Sequence, residues 1–289
     1  MRGIVLMVMA IALLSTMDAL AKWLVTEEVP AIQILALRSI VIVPLILLVF
    51  LCRGRLAELK PKKTLPHLYR ALVGFTAPFA FFLGIKHIPL TDAVVVFFSS
   101  IFTIALLSNY FLGEEIGRHR WASIVIGFFG VLIVAGPKGG GELHGYMLVL
   151  LGSTSYAILF VSGRFLSATE SVASLVFSFN LGVGAISFAI LPFYWQPLSG
   201  DQYGLMLLLA LFAVSGHFLI TTAFATAEAS LIAPFEYTAV IWAIAFDLIV
   251  WQVVPAASTA LGAVVIICSG LYIAYRERIN QSKRSLPAA

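Results

Sequence analysis

The sequence predicts an all-α integral membrane protein of ten transmembrane helices in two inverted five-helix repeats. Three observations predict it. Of 289 residues, 61% are hydrophobic and only 11% are charged, whereas soluble domains carry about 25% charged residues. The apolar residues lie in long unbroken runs, such as Ile32 to Phe50 and Leu205 to Phe224. About 20 such residues cross roughly 30 Å of hydrocarbon as a helix, and the alternation of a β-barrel strand is missing. The first half of the chain also matches the second at a fixed offset.

The spans read as Gly3–Leu24, Ala31–Cys52, His67–His87, Thr91–Phe111, Trp121–Gly136, Leu143–Arg164, Val172–Phe193, Gln202–Ala225, Ser230–Val250 and Ala256–Tyr275. Every connection is short, and the longest, Arg53 to Pro66, is too small for a domain. Function must therefore sit within the helices and at their ends.

Charge placement gives the orientation. With the N-terminus in the cytoplasm, the inner side receives Arg2, Arg53, Arg55, Lys60, Lys62, Lys63, Arg70, Arg118, Arg120, Arg164, Arg276, Arg278, Lys283 and Arg284. The outer side receives Lys22, Lys86 and Lys138, and Arg38 lies within a span. Fourteen against three follows the positive-inside rule, with both termini cytoplasmic. The expected location is the inner (plasma) membrane.

Arg2, the apolar run to Leu14 and Ala19-Leu20-Ala21 imitate a cleavable signal peptide. The internal repeat argues that the first span is retained. At an offset of 138, Ser15-Thr16 and Ala19 match Ser153-Thr154 and Ala157; at 139, Ser99 matches Thr238 and Ser108 matches Asp247. The order of helix lengths repeats as well. An odd number of helices per repeat inverts the second copy, an architecture of transporters with a midplane site. The halves are expected at 1–137 and 143–277, joined by a linker at 138–142 and followed by a tail at 278–289. The glycines of the linker are not a phosphate loop, because no Gly-Lys-Ser/Thr follows.

Ten spans in two inverted halves with both termini inside resemble the drug/metabolite transporter superfamily, EamA type. Local features carry the resemblance: Arg38 in the second span, Leu112-Gly113-Glu114 closing the fourth, and Pro234-Phe235-Glu236-Tyr237-Thr238 with Trp242 and Pro255 in the ninth. The chain departs from the pattern at Asp247 and Gln252, where glycines are usual, and at Val253, where glutamate is usual. Within the superfamily it is most similar to bacterial amino-acid exporters of the YddG type. The resemblance implies a transporter and leaves export or uptake open, including uptake of a cationic metabolite such as S-adenosylmethionine held by Glu236 and Asp18.

Ionisable residues inside spans are the sharpest functional signals, because each is costly in hydrocarbon unless paired or hydrated. Asp18 and Arg38 lie at matching depth, roughly 10 Å below the outer end. They are expected to form either a structural ion pair or a gate that contacts substrate charge. Lys22 would compete for Asp18 or snorkel outwards. His217 and Glu236 lie at similar depth on consecutive spans, either as a proton-coupling pair or each satisfying a neighbour. Asp247, nearer the outer surface, is expected to be solvated. Pro44, Pro78 and Pro234 break helix hydrogen bonding, and Gly127, Gly130, Gly182, Gly184, Gly262 and Gly270 suit close helix packing.

The expected cavity aromatics are Phe79, Phe82, Phe98, Tyr156, Tyr237 and Trp242, with Ser99, Ser100, Asn180 and Thr238 adding hydrogen bonds at similar depth. Trp195 and Trp251 read as interface anchors. No Lys or Arg accompanies these aromatics, so the cavity is expected to prefer neutral or zwitterionic solutes over sugar phosphates, which attract Arg clusters. Amino acids, aromatic ones included, fit.

An intramembrane enzyme would need HExxH, GxSxG with a histidine, or paired aspartates, and none is present. No catalytic residue, cofactor, metal site or nucleic-acid partner is predicted. Cys52 and Cys268 do not suggest a disulfide. The expected partners are a small-molecule substrate and membrane lipid, and the expected state is a monomer.

The orientation has a direct test. In a chain with Cys52 and Cys268 replaced by serine, a cysteine at Gly140 should label from outside intact cells and one at Lys62 should not. The reverse pattern would contradict the orientation.

Overall fold

Wherever the sequence runs apolar for about twenty residues, the chain is helical. In hydrocarbon a helix satisfies all of its own backbone hydrogen bonds. The computed structural model describes residues 2–113, 117–136, 142–226 and 232–284. The helices are α1 (Arg2–Thr26), α2 (Ala31–Cys52), α3 (Thr64–Ile85), α4 (Leu90–Phe97), α5 (Ser99–Leu112), α6 (Arg118–Val134), α7 (Glu142–Leu166), α8 (Val172–Ile190), α9 (Gly200–Thr226), α10 (Thr238–Val250) and α11 (Ala257–Arg284). Short 3-10 turns lie at Leu56–Leu59, Leu191–Phe193 and Ala233–Tyr237. Among the described residues there is no strand. Counting α4 with α5, eight helices are long and apolar enough to cross a membrane, and Trp121–Val134 in α6 is a shorter apolar segment. The structure is that of a multi-pass membrane protein. Glu114 and linker residues 138–141 lie outside the described residues. The last helix runs on to Arg284, beyond the expected end at Tyr275.

Large apolar side chains stay exposed along the outer faces, among them Leu48, Leu51, Ile126, Leu132, Ile249 and Val264. On a soluble protein such an extent of apolar surface would drive association; here it is the surface for lipid. The interior is filled by Leu24, Ile34, Leu35, Phe82, Ile85, Leu90, Phe102, Ile124 and Leu209, each at most 2% exposed.

Helices pair in a regular way: α1 lies along α9, α3 along α7, α2 along α8, α4 along α10 and α6 along α11. At the offset of 138–139, α1 and α3 correspond to α7 and α9. The α1–α9 pair therefore maps onto α7–α3, and the α2–α8 and α6–α11 pairs map onto themselves. Closest approach falls at small residues. A Cβ added to Gly262 would stand 2.7 Å from the Gly130 carbonyl oxygen, so α6 and α11 can only meet where both side chains are absent.

Hydrogen bonds between helix ends show which ends meet. At the far end, where α1 finishes, Lys22 Nζ donates to the Ile88 carbonyl at 2.7 Å, just before α4. Asp247, near the end of α10, accepts from the backbone N–H groups of Leu90 at 3.0 Å and Thr91 at 2.7 Å. Its carboxylate lies 3.7 Å from Lys22 Nζ. Asp92 accepts from the Tyr146 hydroxyl of α7 and, at 2.6 Å, from the Thr259 hydroxyl of α11. Gln33 Nε2 donates to the Gln196 carbonyl at 2.8 Å, and Gln196 N–H donates back to Gln33 Oε1 at 3.0 Å.

Two expectations are corrected here. Asp247 is fully buried rather than solvated, because the first N–H groups of α4 have no intrahelical acceptor and Asp247 supplies one. Lys22 neither meets Asp18 nor snorkels; it is 6% exposed and turns inward to Ile88 and Asp247. Its ammonium also lies 4.9 Å from the centre of the Trp251 ring, so the half-buried Trp251 covers a charge as well as standing near the surface. The chain after α10 turns through Gln252 at φ 56°, in the left-handed region that favours glycine.

At the opposite end, Glu170 ties the two halves of the chain together. Its buried carboxylate accepts from the backbone N–H groups of Lys62, at 3.1 and 3.0 Å, and Lys63, at 2.9 Å. His67 Nε2 stands 3.6 Å away, and Ser171 donates to the Glu58 carbonyl at 2.6 Å. The Lys62 N–H bonds lead in holding the Glu170 carboxyl below its ordinary value of 4.5, against the opposing effect of burial. A depressed carboxyl pKa contributes stability that is complete above the unfolded value and is lost as pH falls through the folded value. The melting temperature of the detergent-solubilised protein should therefore fall below pH 4.5, and Glu170→Gln should remove that component. An identical acid profile in the variant would contradict the latch.

Candidate functional site

Two helices break in the middle of the bundle. α4 ends at Phe97 and α5 begins at Ser99, with Phe98 between them; the 3-10 turn Ala233–Tyr237 gives way to α10 at Thr238. Phe98 and Tyr237 are 139 residues apart, the repeat offset. Their rings touch edge to face, with centroids 4.9 Å apart and planes at 66°. The second break has a local cause, because Pro234 has no N–H to donate. Thr238 Oγ1 donates to the Phe235 carbonyl at 2.6 Å and so satisfies one acceptor at the break. The first break has no proline or glycine, and the sequence reading missed it. The repeat offset from Tyr237 is the signal that points to it. Irregular backbone at membrane depth is tolerated only inside protein or against a water-filled cavity.

Around the breaks stands an aromatic wall. Tyr156 of α7 is 39% exposed. Its ring lies 5.5 Å from Phe97 and 6.5 Å from Phe160, two residues the sequence reading did not name. Glu236 is half-buried and its charge acts on both Tyr156 and Tyr237. Ser99 is buried behind this wall, its hydroxyl 2.8 Å from that of Ser153; Ser100 is buried too. Trp242, one turn beyond Thr238, is 37% exposed.

The remaining aromatic and amide candidates divide. Phe79 is half-buried and stacks on Phe75 at 5.0 Å. Asn180 is half-buried and donates to the Val176 carbonyl of its own helix at 2.9 Å. Phe82 is not a cavity residue: at 1% exposure it belongs to the packed core with Ile85 and Val149. Spacing along α3 could not show which face of the helix meets α7.

A second wall is charged. Asp18 of α1 is half-buried, Arg38 of α2 is buried, and His217 of α9 keeps exposed surface while surrounded by protein. Arg38 acts electrostatically on both Asp18 and His217. Asp18 and Arg38 do not close to an ion pair, and His217 and Glu236 make no direct contact with each other. His217 therefore groups with Arg38, and Glu236 with the tyrosines.

A concavity of about 510 Å³ lies elsewhere, between the far end of α1, the start of α9 and the end of α10. Trp23, Glu27, Gln202 and Trp251 line it, and none of the central aromatics does. A smaller cavity of about 200 Å³ lies beside Tyr69, Ile158 and Ser162. The centre of the bundle is marked by its broken helices and open charges. Among the described residues, no cluster of His, Cys, Asp or Glu could hold a metal ion.

Long apolar helices define a multi-pass membrane protein. Comparison with known proteins makes this particular. Residues 1–136 match the EamA-like transporter family, and most of the chain is similar to membrane transporters. It is 27% identical to an S-adenosylmethionine uptake transporter of Rickettsia felis, over 78% of this chain and 77% of that protein. It is 28% identical to the pseudopaline exporter CntI of Pseudomonas aeruginosa, over 92% of this chain and 93% of that protein. A solved crystal structure shares the fold with a TM-score of 0.65 at 18% identity, covering 96% of this chain and 97% of the other.

Proposed function

We propose that the protein exports small neutral or zwitterionic metabolites, amino acids with aromatic side chains among them, across the inner membrane. In this reading ten spans form two inverted five-helix halves, 1–137 and 143–277, with both termini cytoplasmic. The halves rock about a midplane site in alternating access. The observation that carries the proposal is the edge-to-face contact of Phe98 with Tyr237, which brings the two helix breaks together at corresponding positions. Such a junction can open towards one side and then the other without exposing free backbone to lipid.

The substrate site in this reading comprises Phe79, Phe98, Tyr156, Asn180, Tyr237, Thr238 and Trp242, with Ser99 supporting from behind. Aromatic rings take an apolar side chain, and the hydroxyls take its polar end. Asp18, Arg38, His217 and Glu236 supply the charge for gating or coupling. The amino-acid exporters of the resemblance agree with this chemistry.

A second reading, uptake of a cationic metabolite, is favoured by the Rickettsia relatives and by the two carboxylates, Asp18 and Glu236. S-adenosylmethionine ends in an α-amino acid group, so the two readings share a head group and differ in net charge and direction.

Transport by purified protein in liposomes tests these readings. Phenylalanine, methionine or threonine should leave preloaded vesicles with saturable kinetics. Movement of sugar phosphates with none of amino acids would reject the proposal. Tyr156→Ala should weaken apparent affinity by roughly tenfold to hundredfold, equivalent to about 1–3 kcal/mol. If Glu236 carries a coupled proton, Glu236→Gln should abolish acceleration by a pH gradient while solute exchange persists. A wild type indifferent to the gradient would make the protein a facilitator.

A further inference from the structure

Most buried charges in this protein are satisfied by protein groups. Arg70 donates to the Leu159 carbonyl at 2.6 Å and to Ser162 at 2.8 Å. Lys22, Asp247 and Glu170 are hydrogen-bonded as described above. The charged wall is the exception. Arg38 is 7% exposed, its Nε is buried without a hydrogen-bond partner, and its guanidinium donates to no protein group among the described residues. Asp18, facing it electrostatically, accepts no hydrogen bond from protein among the described residues and is only half-buried. A buried guanidinium and a half-buried carboxylate that act on each other electrostatically are therefore left unjoined. Burying either without a partner is costly. A strongly charge-assisted bond is available to whatever enters between them.

The repeat adds a second, independent observation. At the offset of 138 that aligns Ser15-Thr16 and Ala19 with Ser153-Thr154 and Ala157, Asp18 corresponds to Tyr156. One position of a duplicated helix is thus a carboxylate in the first half and an exposed phenol ring in the second. In inverted copies the two positions lie at mirrored depths, a carboxylate towards one end of the bundle and a phenol ring towards the other.

We propose that Asp18 and Arg38 form a receptor for a zwitterionic head group, with the solute's carboxylate on Arg38, its ammonium on Asp18 and its side chain turned towards the aromatic wall. This rests on the reading that the protein transports neutral amino acids. A zwitterion completes both charges at once, whereas a simple anion or cation leaves one of them unpaired. The pair therefore selects for the head group, and the aromatic wall selects for the side chain.

The test is competition against labelled phenylalanine in proteoliposomes, using phenylalanine methyl ester, which lacks the carboxylate, and N-acetylphenylalanine, which lacks the ammonium. In the wild type each analogue should compete roughly tenfold to hundredfold more weakly than phenylalanine. Arg38→Gln should abolish the preference over the ester and keep the preference over the N-acetyl compound. Asp18→Asn should do the opposite. Analogues that compete as well as phenylalanine in the wild type would overturn the receptor without recourse to any variant. Variants that lose all three solutes equally, with discrimination intact, would also overturn it, because the residues would then only hold helices together. In both of those outcomes labelled phenylalanine still moves in the wild type, so the transporter reading stands. A wild type that moves phenylalanine and other neutral amino acids not at all would overturn both.

Discussion

The buried carboxylate of Asp247 is the contact on which the rest of the arrangement hangs. A helix that starts inside a bundle leaves N–H groups without acceptors, and hydrocarbon supplies no water to meet them. By accepting from Leu90 and Thr91, Asp247 fixes where α4 begins and joins it to α10. Lys22 neutralises the carboxylate and bonds to Ile88, bringing in α1. Asp92, two residues into α4, gathers α7 and α11 through Tyr146 and Thr259. With the start of α4 fixed, its break at Phe98 falls opposite the break at Tyr237 rather than a turn above or below.

Much of the fold was legible because the bilayer imposes a length on each element and a charge bias on each loop. The span limits agree with the helices to within a few residues at most ends. What the sequence could not show is direction around a helix axis. Phe82 and Phe79 are three residues apart on α3, yet one is packed in the core and the other is half-buried. The misplacement of Asp247 has the same origin: distance from a helix end measures depth only when the following chain leaves the bundle. Here it folds back, with Val253 N–H donating to the Asp247 carbonyl at 2.9 Å. The acceptor need that buries Asp247 arises 157 residues earlier in the chain.

The candidate site was partly legible for a related reason. Asp18, Arg38, His217 and Glu236 stand out in any apolar run, so their importance could be read, but their pairing could not. Equal depth on consecutive spans joined His217 to Glu236, whereas helix packing puts α9 against α1 and α2 and so groups His217 with Arg38. The resulting interior has two unlike walls, one of open charge and one of rings. Such an interior suits a solute with a charged head and an apolar tail.

The central claim is that one site between the halves is reached alternately from either side of the membrane. The most direct measurement is the reactivity of a cysteine at Tyr156, in a background with Cys52 and Cys268 replaced by serine, towards an impermeant thiol reagent supplied to one face of the membrane at a time. The account predicts labelling from both faces, with protection from both by a transported amino acid. Labelling from one face only, unchanged by solute, would contradict it.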